Sequence, residues 1–219
     1  MKFSKQVVLS LALVLGTVAA ALTLGVTEGF ADPSPDQMHI KKLTYGGTGC
    51  PAGSVAVDIA SDATAFTLIF DQFLAQIGPG VPAIESRKNC QVNLLLHVPH
   101  GFTYAITSVD YRGYANLAPG AQGMQKASYY FQGQAPTASA ETIFRGPYEQ
   151  DWQLRDRVST AALVWSPCGV ERSMNVNAQL RLTRGTAPAS SSSFIQMDSE
   201  DGNIQQVYHI VWAHCPSHP

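Results

Sequence analysis

Residues 174–184 alternate between apolar and polar side chains as far as Thr183, and this period of two most narrows what the chain can fold into. Met174, Val176, Ala178, Leu180 and Leu182 share one side, while Asn175, Asn177, Gln179, Arg181 and Thr183 share the other. Successive side chains of a strand point to opposite faces, so this segment reads as a strand with one buried face. Val92, Leu94, Leu96 and Val98 alternate in the same way with Gln91, Asn93, Leu95 and His97, until Pro99 and Gly101 stop the run. No stretch shows a convincing helical period.

Shorter strand signals fill the rest of the chain: Val55–Ile59, 66–70, 128–132, 141–144, 152–158, 162–165 and 194–197. The segment 102–114 is long enough for one extended strand or two with a bulge. The last segment, 204–215, is apolar on both faces and is expected at the centre of a sheet. Gly, Pro, Asp and Ser clusters separate these runs, including an Asp-Gly turn within 198–202. About ten short strands with turns between them predict an all-β chain, an antiparallel β-sandwich in preference to a barrel.

Four cysteines, Cys50, Cys90, Cys168 and Cys215, form an even set. No close C-x-x-C pair supports a thiolate zinc site, so two disulfides are expected. Three pairings are possible. Cys50–Cys90 with Cys168–Cys215 is preferred, because each bridge then closes a loop within one half of the chain. An oxidising destination agrees with the N-terminus, where Lys2 and Lys5 precede an uncharged, mostly apolar run, and Gly29 and Ala31 offer a small-residue cleavage site. Residues 1–31 therefore read as a signal peptide, 32–44 as a flexible leader and 45–219 as one domain. A retained membrane anchor is the alternative reading of the apolar run. After cleavage the protein is expected to be secreted and free of the membrane.

Charge enters only here. Charged residues make up 14% of the chain, against ~25% in ordinary domains. Fourteen basic and sixteen acidic side chains leave a formal charge of −2. Such a chain has no basic field for nucleic acid.

Motifs for common extracellular chemistry are absent: there is no G-x-S-x-G, H-E-x-x-H or S-x-x-K beyond the signal. His97 and His100 flank a turn, while His209 and His214 differ by five and so point to opposite faces of one strand; no metal site is expected. Asp198, Glu200 and Asp201 read as a turn, and Glu149 with Asp151 as a loop pair too local to face each other across a cleft. No cofactor is expected. Asp110 and Arg112 share a face and suit an ion pair or structural lock. The polar rows are more suggestive. Asn175, Asn177, Gln179 and Arg181 line one strand, Gln153 and Arg155 another, and Gln91 and Asn93 a third. Amide and guanidinium groups offer directional donors and acceptors suited to sugar hydroxyls, and Tyr111 and Tyr114 could stack on sugar rings.

Several blocks carry a family resemblance: Gly47-Thr48-Gly49-Cys50-Pro51, Ala65-Phe66-Thr67-Leu68-Ile69-Phe70 and Ser86-Arg87-Lys88-Asn89-Cys90-Gln91. Val109-Asp110-Tyr111-Arg112-Gly113-Tyr114, Gly146-Pro147-Tyr148 and Trp165-Ser166-Pro167-Cys168-Gly169 continue it. In order and spacing the chain resembles the secreted proteins grouped as DUF4360 over about residues 45–215. The resemblance implies a small exported protein with paired cysteines and brings no catalytic residue. The expected function is therefore non-catalytic binding of an extracellular polysaccharide or cell-surface component. The alternatives are a hydrolase with a site assembled across loops, and a structural or interaction protein without a small ligand.

Overall fold

The segment with the cleanest alternation forms the middle strand of a five-stranded antiparallel sheet, packed against a second sheet of seven. The computed structural model describes residues 38–134, 138–197 and 206–216. The predicted signal peptide and the turn within 198–202 lie outside the described residues. The strands are β1 (His39–Gly46), β2 (Val55–Ile59), β3 (Ala65–Phe70), β4 (Leu74–Ile77), β5 (Arg87–His97) and β6 (Phe102–Leu117), followed by β7 (Gln122–Phe131), β8 (Ala138–Arg145), β9 (Tyr148–Arg157), β10 (Met174–Thr183), β11 (Ser193–Gln196) and β12 (Gln206–His214). The five-stranded sheet runs β1-β5-β10-β7-β8.

The larger sheet is organised by β6. One side of this strand pairs with β9 along Ser108–Leu117; the other pairs first with β12 and then with β11. Beyond these lie β3 and β2 at one end and β4 at the other. A bulge in the β12 pairing at His209/Ile210 lets a single long strand serve the whole sheet, which resolves the ambiguity of 102–114. As its two apolar faces predicted, β12 lies between β3 and β6.

Apolar side chains of both sheets meet in one core. Phe66, Leu68, Tyr208 and Trp212 come from the seven-stranded sheet; Leu94, Phe131, Val176 and Leu180 come from the other. Tyr104 packs edge-on against Phe131 at 5.3 Å, and Tyr129 against Tyr208 at 6.4 Å, bridging the two layers. Burying each large side chain contributes ~1.5–3 kcal/mol, and the Trp212 indole N–H is satisfied by the Ala63 carbonyl at 2.8 Å. The disulfides are Cys50–Cys90 and Cys168–Cys215, the preferred pairing, with sequence separations of 40 and 47 residues. Closed loops of that size each stabilise by ~4 kcal/mol in the chain-entropy picture.

Three local expectations require correction. The stretch 32–44 does not end in a leader, because β1 starts at His39 and pairs with β5. β4 is an additional strand, hidden by its four-residue length. Residues 162–165 form no strand; a 3-10 turn over Thr160–Ala162 leads to a single bridge between Trp165 and Ala105.

Candidate functional site

Antiparallel registers turn the polar rows of the sequence into surfaces, and they separate two rows expected to act together. β10 belongs to the five-stranded sheet and β9 to the seven-stranded one. The row Asn175, Asn177, Gln179 and Arg181 therefore lies on the opposite side of the sandwich from Gln153 and Arg155. Tyr111 is also misplaced by the expectation: it is fully buried, while Tyr114, three residues on, faces outward and packs on Phe194 at 5.8 Å.

On the five-stranded sheet the expected rows do meet. Asn175 lies between Asn93 on β5 and Tyr130 on β7. One step along, Asn177 lies between Gln91 and Ser128, with Ser139 of β8 beyond. Next come Asn89, Gln179, Lys126 and Glu141, and then Arg87, Arg181 and Met124. Every inward neighbour on β10 is apolar and buried, so the pleat forces these polar groups outward. Asn93 donates from Nδ2 to Asn175 Oδ1 at 2.9 Å, and Asn175 is only 5% exposed between its two neighbours. With its amide oxygen turned toward β5, Gln179 accepts from both Nε and Nη2 of Arg87 at 2.8 Å. Among the described residues, Gln91 and Asn177 have no side-chain hydrogen-bond partner. The middle of this face thus holds two adjacent amides whose donors and acceptors point outward, flanked by Ser128 and, one row away, Tyr130.

The outer face of the larger sheet uses its polar groups differently. Asp110 receives hydrogen bonds from Arg155 Nε and Nη2, each at 2.5 Å, and lies 2.8 Å from His209 Nε2. This carboxylate ties β6 to β9 and β12 at once. Chiefly through the Arg155 hydrogen bonds, its pKa is held down to about 2. The expected lock therefore exists, with Arg155 in place of Arg112. Behind it, on the inner side of β9, Asp156 has its pKa raised by burial near Tyr111. The lock holds the carboxylate in its ionised, acceptor-only form and leaves it no proton to transfer near neutral pH.

Sequence reasoning missed a cavity of about 380 Å³ lined by Asp71, Gln72, Phe73, Leu74, Glu85, Lys88 and Gln196. It lies between the start of β4, the 3-10 turn over Ala83–Ser86 and the start of β5, and an ion pair joins Glu85 to Lys88 at 2.7 Å. None of the candidate binding residues lines it. Its members come from three separate segments, 71–74, 85–88 and Gln196, and no local sequence pattern links them. At the opposite end of β5, His97 stacks on His39 at 4.7 Å, and its Nδ1 lies 3.5 Å from Glu171. Among the described residues no group of three His, Cys, Asp or Glu side chains is arranged to hold a metal.

Residues 36–215 match the family described as domain of unknown function DUF4360. The chain belongs to that family. Its span includes β1, in agreement with the pairing of His39–Gly46 in the sheet. A relative from Arthroderma benhamiae, described as an uncharacterized secreted protein, is 46% identical over 183 residues, covering 84% of this chain and 74% of its own length. Among solved structures, TmCBM61 in complex with β-1,4-galactotriose aligns over 77% of this chain and 89% of its own, at 11% identity and a TM-score of 0.29. The enzymatically active domain of bacteriophage CBA120 tailspike protein 4 aligns over 83% of this chain and 20% of its own, at 17% identity and a TM-score of 0.25. Within the described residues no helix is long and apolar enough to cross a membrane.

Proposed function

We propose that this DUF4360 protein is exported and binds extracellular polysaccharide without catalysis, through the outer face of the β5-β10-β7 layer. One observation supports the reading above others: Gln91 and Asn177 sit side by side on a rigid sheet, with outward amides that no described residue partners. Amides donate and accept at once, as sugar hydroxyls require, and the sheet fixes their spacing before a ligand arrives. The nearby Tyr130 ring offers an apolar surface for a sugar face. The absence of a strong charge at the centre of the face favours a neutral polymer over an acidic one.

Co-sedimentation of the purified protein with insoluble chitin, cellulose and β-glucan tests this. Retention on at least one polymer is expected, with about tenfold weaker binding for Gln91→Ala/Asn177→Ala, a loss of ~1.4 kcal/mol. Retention on none of them, or retention indifferent to that double substitution, would overturn the reading. Export is checked separately by N-terminal sequencing of protein from the culture medium, which is expected to begin at Asp32.

A further inference from the structure

Five strands have one side without a strand partner among the described residues: β1, β2, β4, β8 and β9. An open edge offers a row of backbone donors and acceptors to any other strand, and folded proteins guard such edges with charge, bulges or brevity. Four of the five follow that rule. β1 has Lys41 and Lys42 beside a bulge. β2 and β4 are five and four residues long. β9 holds Glu149, Asp151, Arg155, Asp156 and Arg157.

β8 does not. Its eight residues keep an unbroken register with β7, and Thr142, Ile143 and Phe144 favour extended backbone. Ile143 is 48% exposed, one of only three large apolar side chains so exposed among the described residues. Its flanks are informative as well. Glu141, Ile143 and Arg145 occupy alternate positions and so share the outer face, in the order acidic, apolar, basic.

That order is its own complement when reversed. In an antiparallel pair of identical strands about a two-fold axis, Ile143 meets Ile143 of the second copy, and Glu141 meets Arg145 of the second copy twice over, each Glu141 then lying between Lys126 of its own sheet and Arg145 across the axis. A slip of one residue at each strand puts Glu141 against Ile143 in one direction and Ile143 against Arg145 in the other, losing both charge pairs. We propose that β8 is a homodimer interface, pairing antiparallel with β8 of a second copy around Ile143 and joining the two five-stranded sheets into one of ten. Isologous closure of this kind uses both open edges and leaves no further β8 edge for growth.

Sedimentation velocity over a range of protein concentrations tests the assembly. A dimer is expected, with Ile143→Lys weakening it by about tenfold or more, since two like charges then meet on the axis. Glu141→Arg is expected to weaken it to a similar degree, and Glu141→Arg/Arg145→Glu, made together with Lys126→Glu so that the pair within the sheet is kept, to restore it. Ile143→Cys is expected to give a covalent dimer on mild oxidation, because directly opposed Cα atoms lie ~4.5–5.5 Å apart, within disulfide reach. Far-ultraviolet circular dichroism verifies that each variant keeps its sheets. A monomer at all concentrations, a dimer indifferent to Ile143→Lys, or a charge swap that fails to restore association would overturn the proposal.

Discussion

The two outer faces of the sandwich differ in how far the polar side chains at their centres are already used. On the seven-stranded sheet, Asp110 is consumed by Arg155 and His209, and the three side chains fasten three strands to one another. On the five-stranded sheet, Asn93 is tied to Asn175, Arg87 to Gln179 and Lys126 to Glu141, while Gln91 and Asn177 between them have no side-chain partner among the described residues. The first arrangement fixes register and the second leaves chemistry available. Polarity alone does not mark a binding surface; what matters is whether the polar groups have already been used.

This contrast can be broken at several levels. The largest effect concerns the covalent ties, one of which belongs to each sheet: Cys90 lies on β5, and Cys215 directly follows β12. Cys50→Ser/Cys90→Ser and Cys168→Ser/Cys215→Ser are each expected to cost ~4 kcal/mol in urea unfolding. A much smaller loss for one pair would show that the sheets depend unequally on their staples. Next comes Gly113 on β6. A Cβ there would lie 2.1 Å from the Gln196 carbonyl oxygen and 2.3 Å from the Trp152 ring. Gly113→Ala is therefore expected to cost ~2–3 kcal/mol by the same measurement, through overpacking on the locked sheet.

Acid titration separates the two aspartates that share this region. Asp110 has a folded-state pKa of about 2, below its ordinary value of 3.8, so its contribution is full above that ordinary value and is lost as pH falls toward 2. Asp156 has the opposite sign: burial raises its pKa, so its contribution is full at low pH and is lost as pH rises through the folded value. Asp110→Asn should flatten the acid limb of the stability curve by under ~1 kcal/mol, the size of a solvent-screened pair. Asp156→Asn should instead relieve the loss on the rising side. Both are read from thermal melts between pH 2 and 6. The smallest expected change in stability is that of Asn177→Ala, within ~0.5 kcal/mol, because its side chain supports no neighbour. A larger cost would place this amide in the same structural role as Asp110.

Much of this architecture is legible in particular residues. The alternation at 174–183 fixes both the buried face of β10 and the identity of its outward row. The doubly apolar pattern before Cys215 places β12 inside a sheet. Other features are not local. The two lysines of β1 are admissible in an edge strand but look like leader, and the four residues of β4 are too few to show a period. Which sheet a polar row joins is decided by topology, so nothing within 148–157 announces that Gln153 and Arg155 lie across the molecule from Asn177. Tyr111 was within reach of sequence reasoning: it stands an odd number of residues from Tyr114, and alternation alone puts the two on opposite faces. The candidate face was thus readable as a row, and its depth at Asn175 became visible only with Asn93 and Tyr130 on either side.

The placement of β6 has a consequence for how the chain comes into being. This strand is the spine of the larger sheet, and its three partners, β9, β11 and β12, all follow it in the sequence. A polypeptide delivered with its N-terminus first presents sixteen residues of spine long before the last partner emerges. The five-stranded sheet can be completed once β10 is available, whereas the larger one waits for residue 214. Such distant pairings are slow and expose unpaired backbone in the interval. Loss of even the last ten to fifteen residues would therefore leave an open spine rather than a trimmed sandwich, and the C-terminal strand acts as the keystone of assembly.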